Sequence, residues 1–231
     1  MDFTAAAVER RVAEFDARYG PMEKVLWCLR AEAVRSLSGA GRPEVLREFV
    51  RTVRNWWGVR GVSSATLGIM TEALQATCWT PEAFEPSSDF SDDVCAFAVG
   101  RVSRLVDTVH RKGGRREWSL SAKVLHWLMP WRVPAYDSFV RQVLNVGIQG
   151  SDDQASAYRE VVSKVFNMAT RLMGAGRLFF GELEPRSPLR ALDKYLWMEG
   201  GGAAGRALVV RDPERVLREL GLTCPPAPSV E

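Results

Sequence analysis

The apolar residues of this chain recur every three or four positions along almost its whole length. Val45, Phe49 and Val53 show this spacing, and many other segments repeat it. A period near 3.6 is that of one face of an α-helix, whereas the period of two expected of a half-buried strand never persists. The pattern predicts an all-α fold and leaves room for a short extended piece only at residues 178–181 or 207–210.

Proline and glycine residues divide this pattern into nine or ten helices. Proline is favoured in the first turn of a helix and disfavoured in its interior, so five prolines here predict a helix start and one predicts a helix end: Pro21, Pro43, Pro81, Pro130, Pro188 and Pro213. In particular, Gly20-Pro21 predicts a break between the first two helices. The predicted helices span residues 4–19, 22–38, 43–57, 62–77, 91–112, 119–129, 137–146, 152–174, 187–199 and 212–220.

Charge and cysteine content narrow the class of protein. The chain has 31 Lys and Arg against 28 Asp and Glu, a net charge of +3, which permits a polyanionic partner without requiring one. Its 46% hydrophobic content excludes a disordered chain, collagen and a membrane span. The four cysteines form no CxxC pair, so we expect reduced thiols and no zinc site. Charged residues near the N-terminus argue against a secretory leader, so we expect a cytoplasmic protein, and we separately expect it to be a monomer.

A basic loop with two glycines follows the predicted helix 91–112. Glycine allows a backbone to approach a phosphate closely, and the next helix would direct its positive dipole end to the same place. The loop therefore predicts a contact with a sugar–phosphate backbone, the alternative being a solvated connection between helices. Its predicted phosphate-binding residues are Arg111, Lys112, Gly113, Gly114, Arg115 and Arg116, with Arg101 and Arg104 on the helix before them.

A second informative segment follows the loop directly. A helix that contains Lys123 leads through the bend at residues 130–134 to Asp137, which opens the next helix. Aspartate at a helix start is a common N-cap that stabilises a helix by about 0.5–2 kcal/mol. The neighbouring aromatic residues also make this the place for a carboxylate in the wall of an aromatic pocket. Both roles are open for Asp137.

Residues 121–123 (SAK) and 134–144 (PAYDSFVRQVL) resemble the helix-hairpin-helix DNA glycosylase superfamily, the endonuclease III-like base-excision enzymes. In that family a lysine-bearing helix is followed by a turn and a helix start of the type P-V-D-x-x-V. This chain departs from the pattern where the family has a leucine-proline-glycine-x-glycine hairpin, since residues 117–121 read EWSLS. It also has no four-cysteine iron–sulfur signature, so we expect neither a cluster nor any other cofactor.

The resemblance implies a fold and a reaction. The fold would be one helical unit of residues 1–231 with a helix-hairpin-helix-like element and a central cleft between two lobes, residues 22–100 and 101–180. Terminal helices within 1–20 and 181–221 would pack on the lobes, leaving a tail at 222–231. Asp137 would stabilise the oxocarbenium-like sugar as the N-glycosidic bond breaks. Lys123 would attack C1′ and form a Schiff base, adding lyase activity.

The implied partner is double-stranded DNA with one base turned out of the stack. Aromatic stacking on such a base contributes about 1–3 kcal/mol per ring. The predicted base pocket consists of Trp131, Tyr136, Trp127 and Asp193, and Ser138 and Arg141 join the predicted phosphate contacts. The excised base could be a damaged base or a hypermodified phage pyrimidine such as glucosylated hydroxymethylcytosine.

Two other functions fit the same residues. A non-catalytic helical module could bind DNA through the basic face at residues 101–116, with Asp137 only a helix cap. A hydrolase of small nucleosides would use the pocket without the basic loop. These alternatives differ in whether a product forms and in whether Arg115 and Arg116 contribute to binding.

Overall fold

The computed structural model describes residues 3–57, 59, 61–148, 150, 153–174, 187–201 and 210–224. Within these ranges the chain is helical and contains no strand, which confirms the all-α class. The predicted extended piece at 178–181 and most of that at 207–210 lie outside the described residues. The helices are α1 (Ala5–Leu37), α2 (Pro43–Trp56), α3 (Ser64–Gln75), a 3-10 helix (Pro81–Phe84), α4 (Asp92–Arg111), α5 (Trp118–Leu128), α6 (Ser138–Leu144), α7 (Gln154–Gly174), α8 (Pro188–Glu199) and α9 (Arg215–Glu219).

Side-chain caps explain where several helices begin. Thr4, Ser63, Asp137 and Ser187 each accept a hydrogen bond from the main-chain N–H three residues later, at 2.9–3.2 Å. Each bond satisfies one of the N–H groups that a helix leaves unpaired at its first turn. The starts of α1, α3, α6 and α8 therefore follow from local sequence and lie within two residues of their predicted positions.

Helix α1 continues through Pro21, so the predicted break at Gly20-Pro21 is wrong. Proline removes one main-chain hydrogen bond and disfavours a helix interior. On both sides of Pro21, however, the helix is buried: Tyr19, Met22 and Val25 are almost inaccessible to solvent. Burial of each such side chain contributes about 1.5–3 kcal/mol, which outweighs the local cost. The result is a 33-residue helix about 50 Å long.

One large buried cluster includes residues from all nine α-helices of the described chain. Helix α1 packs against α2, α3, α5 and α8, whereas α4 packs against α3, α5 and α7. Helix α6 packs against α7 and α8. This arrangement brings the N-terminal ends of α5 and α6 to neighbouring positions. None of the helices in the described ranges is both long enough and apolar enough to span a membrane.

Cys28 and Cys224 form a disulfide, so the prediction of four reduced thiols is wrong for these two. Their Cα atoms lie 5.5 Å apart, which is usual for a disulfide. The bond joins α1 to the segment after α9, and 196 positions separate its two cysteines. Cys78, which is exposed, and Cys95, which is partly buried, are free thiols.

Candidate active site

A cavity of about 810 Å³ lies where the N-terminal ends of α5 and α6 face the segment that follows α2. The α5 end contributes Glu117, Trp118, Ser119 and Lys123 to its wall. The α6 end contributes residues 136–139 and Arg141. Trp57, Val59, His110, Arg116 and Gln154 complete the lining. Both predicted catalytic residues, Lys123 and Asp137, thus belong to one cavity.

Lys123 and Asp137 form an ion pair in the cavity wall. Lys123 Nζ lies 2.9 Å from Asp137 Oδ2 and donates a second hydrogen bond to the main-chain oxygen of Trp57, at 3.2 Å. Asp137 Oδ1 accepts the N–H of Val140 at 2.9 Å. The side chains are only 11% and 9% exposed. One oxygen of Asp137 therefore caps α6, as its sequence position predicts, and the other pairs with Lys123.

Aromatic rings surround this pair. Trp57, Trp118, Tyr136 and Phe139 line the cavity, and of these only Tyr136 belonged to the predicted base pocket. The Tyr136 hydroxyl donates a hydrogen bond to Gln154 Oε1 at 2.7 Å, and burial raises the pKa of Tyr136 to about 12. These four ring systems, one of them a neutral phenol, give the cavity faces on which a flat group can stack.

Trp131 and Trp127 lie in the core instead of the cavity wall. Trp131 is 4% exposed and packs beside Trp27, with the guanidinium of Arg30 5.2 Å from its ring centre. Trp127 is 2% exposed and stacks on Trp57 at 6.2 Å. The predicted contact of these two rings with a base is therefore not supported by their positions.

The bend at residues 130–134 is folded inward, which explains the burial of Trp131. His126 Nδ1 donates a hydrogen bond to the Val133 oxygen at 2.8 Å, and the Tyr158 hydroxyl donates to the Pro134 oxygen at 3.2 Å. These bonds satisfy carbonyl groups that the bend leaves without helical partners. The chain therefore enters α6 from the core side and reaches the cavity at Tyr136 and Asp137.

Asp193, the fourth predicted pocket residue, belongs to a buried charge network behind the ion pair. Arg190 binds both Glu23 and Asp193, and Lys194 Nζ lies 2.6 Å from Asp16 Oδ1. A void of about 20 Å³ separates this network from the cavity, with Asp193, His126, Lys123 and Asp137 in its lining. This is enough space for one water molecule. His126 Nε2 has no hydrogen-bond partner, and burial lowers the pKa of this imidazole.

The two loop glycines end α4 and do not offer their N–H groups to a phosphate. Gly113 N donates to the His110 oxygen at 3.0 Å, and Gly114 N donates to the Val109 oxygen at 2.9 Å. Gly113 has a φ of 90°, and a Cβ at Gly114 would lie 2.6 Å from a Val109 methyl group. The prediction of backbone phosphate binding by Gly113 and Gly114 is therefore wrong, because these N–H groups cap the helix.

Several basic side chains around the loop line a groove on the surface of the protein. A groove of about 530 Å³ is lined by Arg104, Asp107, His110, Arg111 and Arg116. Two of these residues, His110 and Arg116, also line the 810 Å³ cavity, so the groove adjoins it. Arg104 and Arg116 form no ion pair with any residue in the described ranges. Their charges are therefore available to a polyanion.

Four other basic side chains near the loop or the cavity each contact another residue of the protein. Arg101 lies over the rings of Trp79 and Phe97, at 5.2 and 5.1 Å, and burial lowers the pKa of its guanidinium. Lys112 Nζ lies 3.5 Å from Glu72 Oε2, and Arg115 Nε lies 3.5 Å from Glu117 Oε1. Arg141 lies 5.7 Å from the Tyr136 ring centre, beside Ser138 in the cavity lining.

Glu117 is a cavity residue that sequence reasoning missed. It occupies the N-cap position of α5 but forms no side-chain cap, and its carboxyl group is 14% exposed. Burial raises its pKa, while the charge of Arg115 acts in the opposite direction. The available sequence signal was weak: glutamate is not among the usual N-cap residues, so its presence there called for another explanation.

Comparisons with protein-family models, with curated proteins and with solved structures find no match. The candidate function therefore rests on the residues and the geometry described above. Among the residues that the structure describes, no group of three or more His, Cys, Asp and Glu side chains is placed to hold a metal ion.

Proposed function

We propose that this protein is a DNA glycosylase, a divergent member of the helix-hairpin-helix superfamily, that cleaves the N-glycosidic bond of a base turned out of duplex DNA. The observation that carries the proposal is the Lys123–Asp137 pair, 2.9 Å apart in the wall of a cavity lined by aromatic rings. A carboxylate, an amine and stacking faces in one cavity are what this reaction needs from a protein.

The proposed chemistry assigns one task to each member of the pair. Negative charge on Asp137 stabilises the positive charge that develops on the sugar as the C1′–N bond breaks. Lys123 Nζ can pass a proton to Asp137 Oδ2 along their hydrogen bond and attack C1′ with the freed electron pair. The bonding electrons of the old bond leave with the base. Without that attack, a water molecule oriented by Asp137 completes a simple hydrolysis.

The basic groove supports a polynucleotide as the substrate. It adjoins the cavity through His110 and Arg116, so a sugar–phosphate backbone bound at Arg104 and Arg111 would run past the cavity mouth. Neutralising phosphates releases counterions and gives binding that weakens with salt. A hydrolase of free nucleosides has no use for this groove.

For the substrate base we propose a hypermodified pyrimidine, with glucosylated hydroxymethylcytosine of phage DNA as the leading example and defence against phage as the role. The cavity volume of about 810 Å³ is in the range of pockets that hold drug-sized ligands, larger than one flat base requires. Ser119, Ser138 and Gln154 supply polar groups for sugar hydroxyls. A damaged base in a repair reaction is the competing substrate.

The second candidate is a non-catalytic module that binds DNA through its basic face at residues 101–116. The observation in its favour is the hydrogen bond from Val140 N to Asp137 Oδ1, because a capping role by itself accounts for an aspartate at this position. This alternative predicts binding without any product.

Phage DNA that carries glucosylated hydroxymethylcytosine, incubated beside unmodified DNA and duplexes with damaged bases, tests the proposal. We expect abasic sites in the modified DNA and none with Asp137→Asn, which should still bind. Abasic sites only in damaged duplexes would reject the phage substrate and retain the glycosylase. No abasic sites in any DNA, with binding intact, would reject the enzyme in favour of the binding module.

A further inference from the structure

We propose that Glu117 is the general acid that protonates the departing base, a role that rests on the glycosylase function proposed above. Glu117 lines the cavity that Lys123 and Asp137 also line, and its side chain is only 14% exposed. The inference assigns this residue a catalytic task that neither the sequence pattern nor the family resemblance gives it.

The hydrogen bonding of Glu117 leaves its carboxyl group available. At the N-cap of α5 its side chain could accept a main-chain N–H, yet it makes no such bond. Its charged contact within the described residues is Arg115, at 3.5 Å, and the Arg115 side chain is 74% exposed. A largely buried carboxyl group without strong donors is stabilised in its protonated form.

The two carboxyl groups of the cavity therefore have contrasting surroundings. Asp137 receives hydrogen bonds from an ammonium group and a main-chain N–H. The Glu117 carboxyl group accepts no hydrogen bond from the part of the chain that the structure describes, and burial raises its pKa. A carboxylate held by donors beside a buried carboxyl group without them is the arrangement by which hydrolases divide electrostatic stabilisation from proton donation.

The proposed step is balanced in atoms and charge. As the C1′–N bond breaks, its electron pair moves into the base, and the Glu117 proton moves to a ring nitrogen or carbonyl oxygen of that base. The base departs neutral and Glu117 becomes a carboxylate. Attack at C1′ by Lys123 Nζ or water then supplies the new bond, with the released proton passing to Asp137.

A general acid matters most for bases that stabilise a negative charge poorly when they leave. A uracil-type base can leave as an anion spread over two carbonyl groups. A cytosine-type base has an amino group in place of one carbonyl and stabilises that charge less, so it needs a proton as it departs. A general acid in the wall thus points to amino-bearing bases as the natural substrate class.

Two duplexes that differ only in the amino group of one base test the proposal. One carries 5-hydroxymethylcytosine and the other carries 5-hydroxymethyluracil, with a carbonyl group instead, at the same position. We expect Glu117→Gln to slow excision of the cytosine-type base by about 100-fold or more, and of the uracil-type base far less. An equal loss on both bases, or no loss, would overturn the role of Glu117. Glu117→Asp, which keeps an acid, should recover part of the loss.

The pH profile provides an independent readout. Other titratable or charged groups share the cavity or face Glu117: Arg115, Arg116 and His110 from the α4–α5 region, Lys123 from α5, and Tyr136, Asp137 and Arg141 from the α6 end. Cleavage should fall as pH rises through the pKa of Glu117. Arg115→Gln removes a positive charge that lowers this pKa, so the fall should move to higher pH. If His110→Gln moves or removes the fall and Glu117→Gln does not, the acid is not Glu117.

A measurement without substrate separates this proposal from the glycosylase itself. Carbon-13 NMR of the intact protein should show one glutamate carboxyl that titrates above its ordinary range and disappears in Glu117→Gln. If the parent excises bases and Asp137→Asn does not, yet no such resonance exists, only the Glu117 proposal fails. If the parent excises nothing, both fail.

Discussion

The Lys123 ammonium lies 2.9 Å from the Asp137 carboxylate, although the two residues come from different helices and from opposite sides of a buried bend. A third partner, the main-chain oxygen of Trp57 at the end of α2, fixes the ammonium at 3.2 Å. Three segments thus meet at one pair of charges. Because both residues also line the cavity, the contacts that stabilise the fold also fix the positions of the two groups proposed to react.

Asp137→Asn and Asp137→Ala separate the catalytic role of the carboxylate from its capping role. Asparagine can still accept the Val140 N–H, whereas alanine cannot, so alanine should lower the free energy of unfolding by about 0.5–2 kcal/mol more. Both should reduce base excision by about 100-fold or more through loss of the charge that stabilises the developing cation. Chemical denaturation and abasic-site assays measure the two effects. If the loss of excision in the two variants is proportional to their loss of stability, a catalytic role of Asp137 is contradicted.

Lys123→Met tests the amine as a nucleophile. Borohydride reduces a Schiff base, so the parent should form a covalent adduct with substrate DNA that denaturing electrophoresis detects, and Lys123→Met should form none. Lys164→Met, which removes a partly exposed lysine paired with Glu160, is the matched control and should keep the adduct. An active parent without an adduct would leave Lys123 with the task of orienting Asp137.

Neutralising the basic groove should weaken DNA binding in a salt-dependent way. Arg104→Gln and Arg116→Gln should each lower affinity for all duplexes and reduce the slope of log K against log salt by about 1. Arg215→Gln, an exposed arginine of α9, removes the same charge at a distant helix and is the control. Fluorescence anisotropy over a range of salt gives the slope. If the slope is the same for the parent and for all three variants, a hydrolase of small nucleosides is favoured.

The Cys28–Cys224 disulfide should be measurable in two ways. Unfolded but unreduced protein should expose two reactive thiols, Cys78 and Cys95, and four after reduction. Cys224→Ser should lower the free energy of unfolding by about 2–5 kcal/mol, since the bond closes a long loop in the unfolded chain. Adding reductant to the parent should remove this difference. Four reactive thiols before reduction would show that the bond is absent in solution.

Stability should decrease as the solution is acidified below the ordinary pKa of histidine, about 6.5. Burial lowers the pKa of His126, so the folded protein keeps it neutral while the unfolded chain takes up a proton. Unfolding is then increasingly favoured as the pH falls below about 6.5, whereas well above that pH the imidazole is neutral in both states and has no effect. His126→Gln should flatten this part of the curve of unfolding free energy against pH. His110→Gln, which removes an exposed histidine, is the matched control.

Sequence reasoning selected Lys123 and Asp137 but not the ion pair between them. Asp137 follows from a proline-rich bend and a helix cap, which are local features, whereas Lys123 was selected through the resemblance to helix-hairpin-helix DNA glycosylases. Glu117 and Trp57 could not be selected in the same way, because each owes its place in the cavity to neighbours distant in sequence. For Trp131 the turn position predicted exposure, whereas packing against Trp27 and Arg30 buries the ring.

The sequence by itself determined the all-α class and the starts of helices such as α3 and α6, because the 3.6-residue period and the caps Ser63 and Asp137 act over a few residues. Tertiary structure decided the unbroken course of α1 through Pro21, since burial on both sides outweighs one lost hydrogen bond. It also decided the Cys28–Cys224 bond and the enclosure of Lys123. These depend on which distant surfaces meet, and that is settled only when the whole core packs.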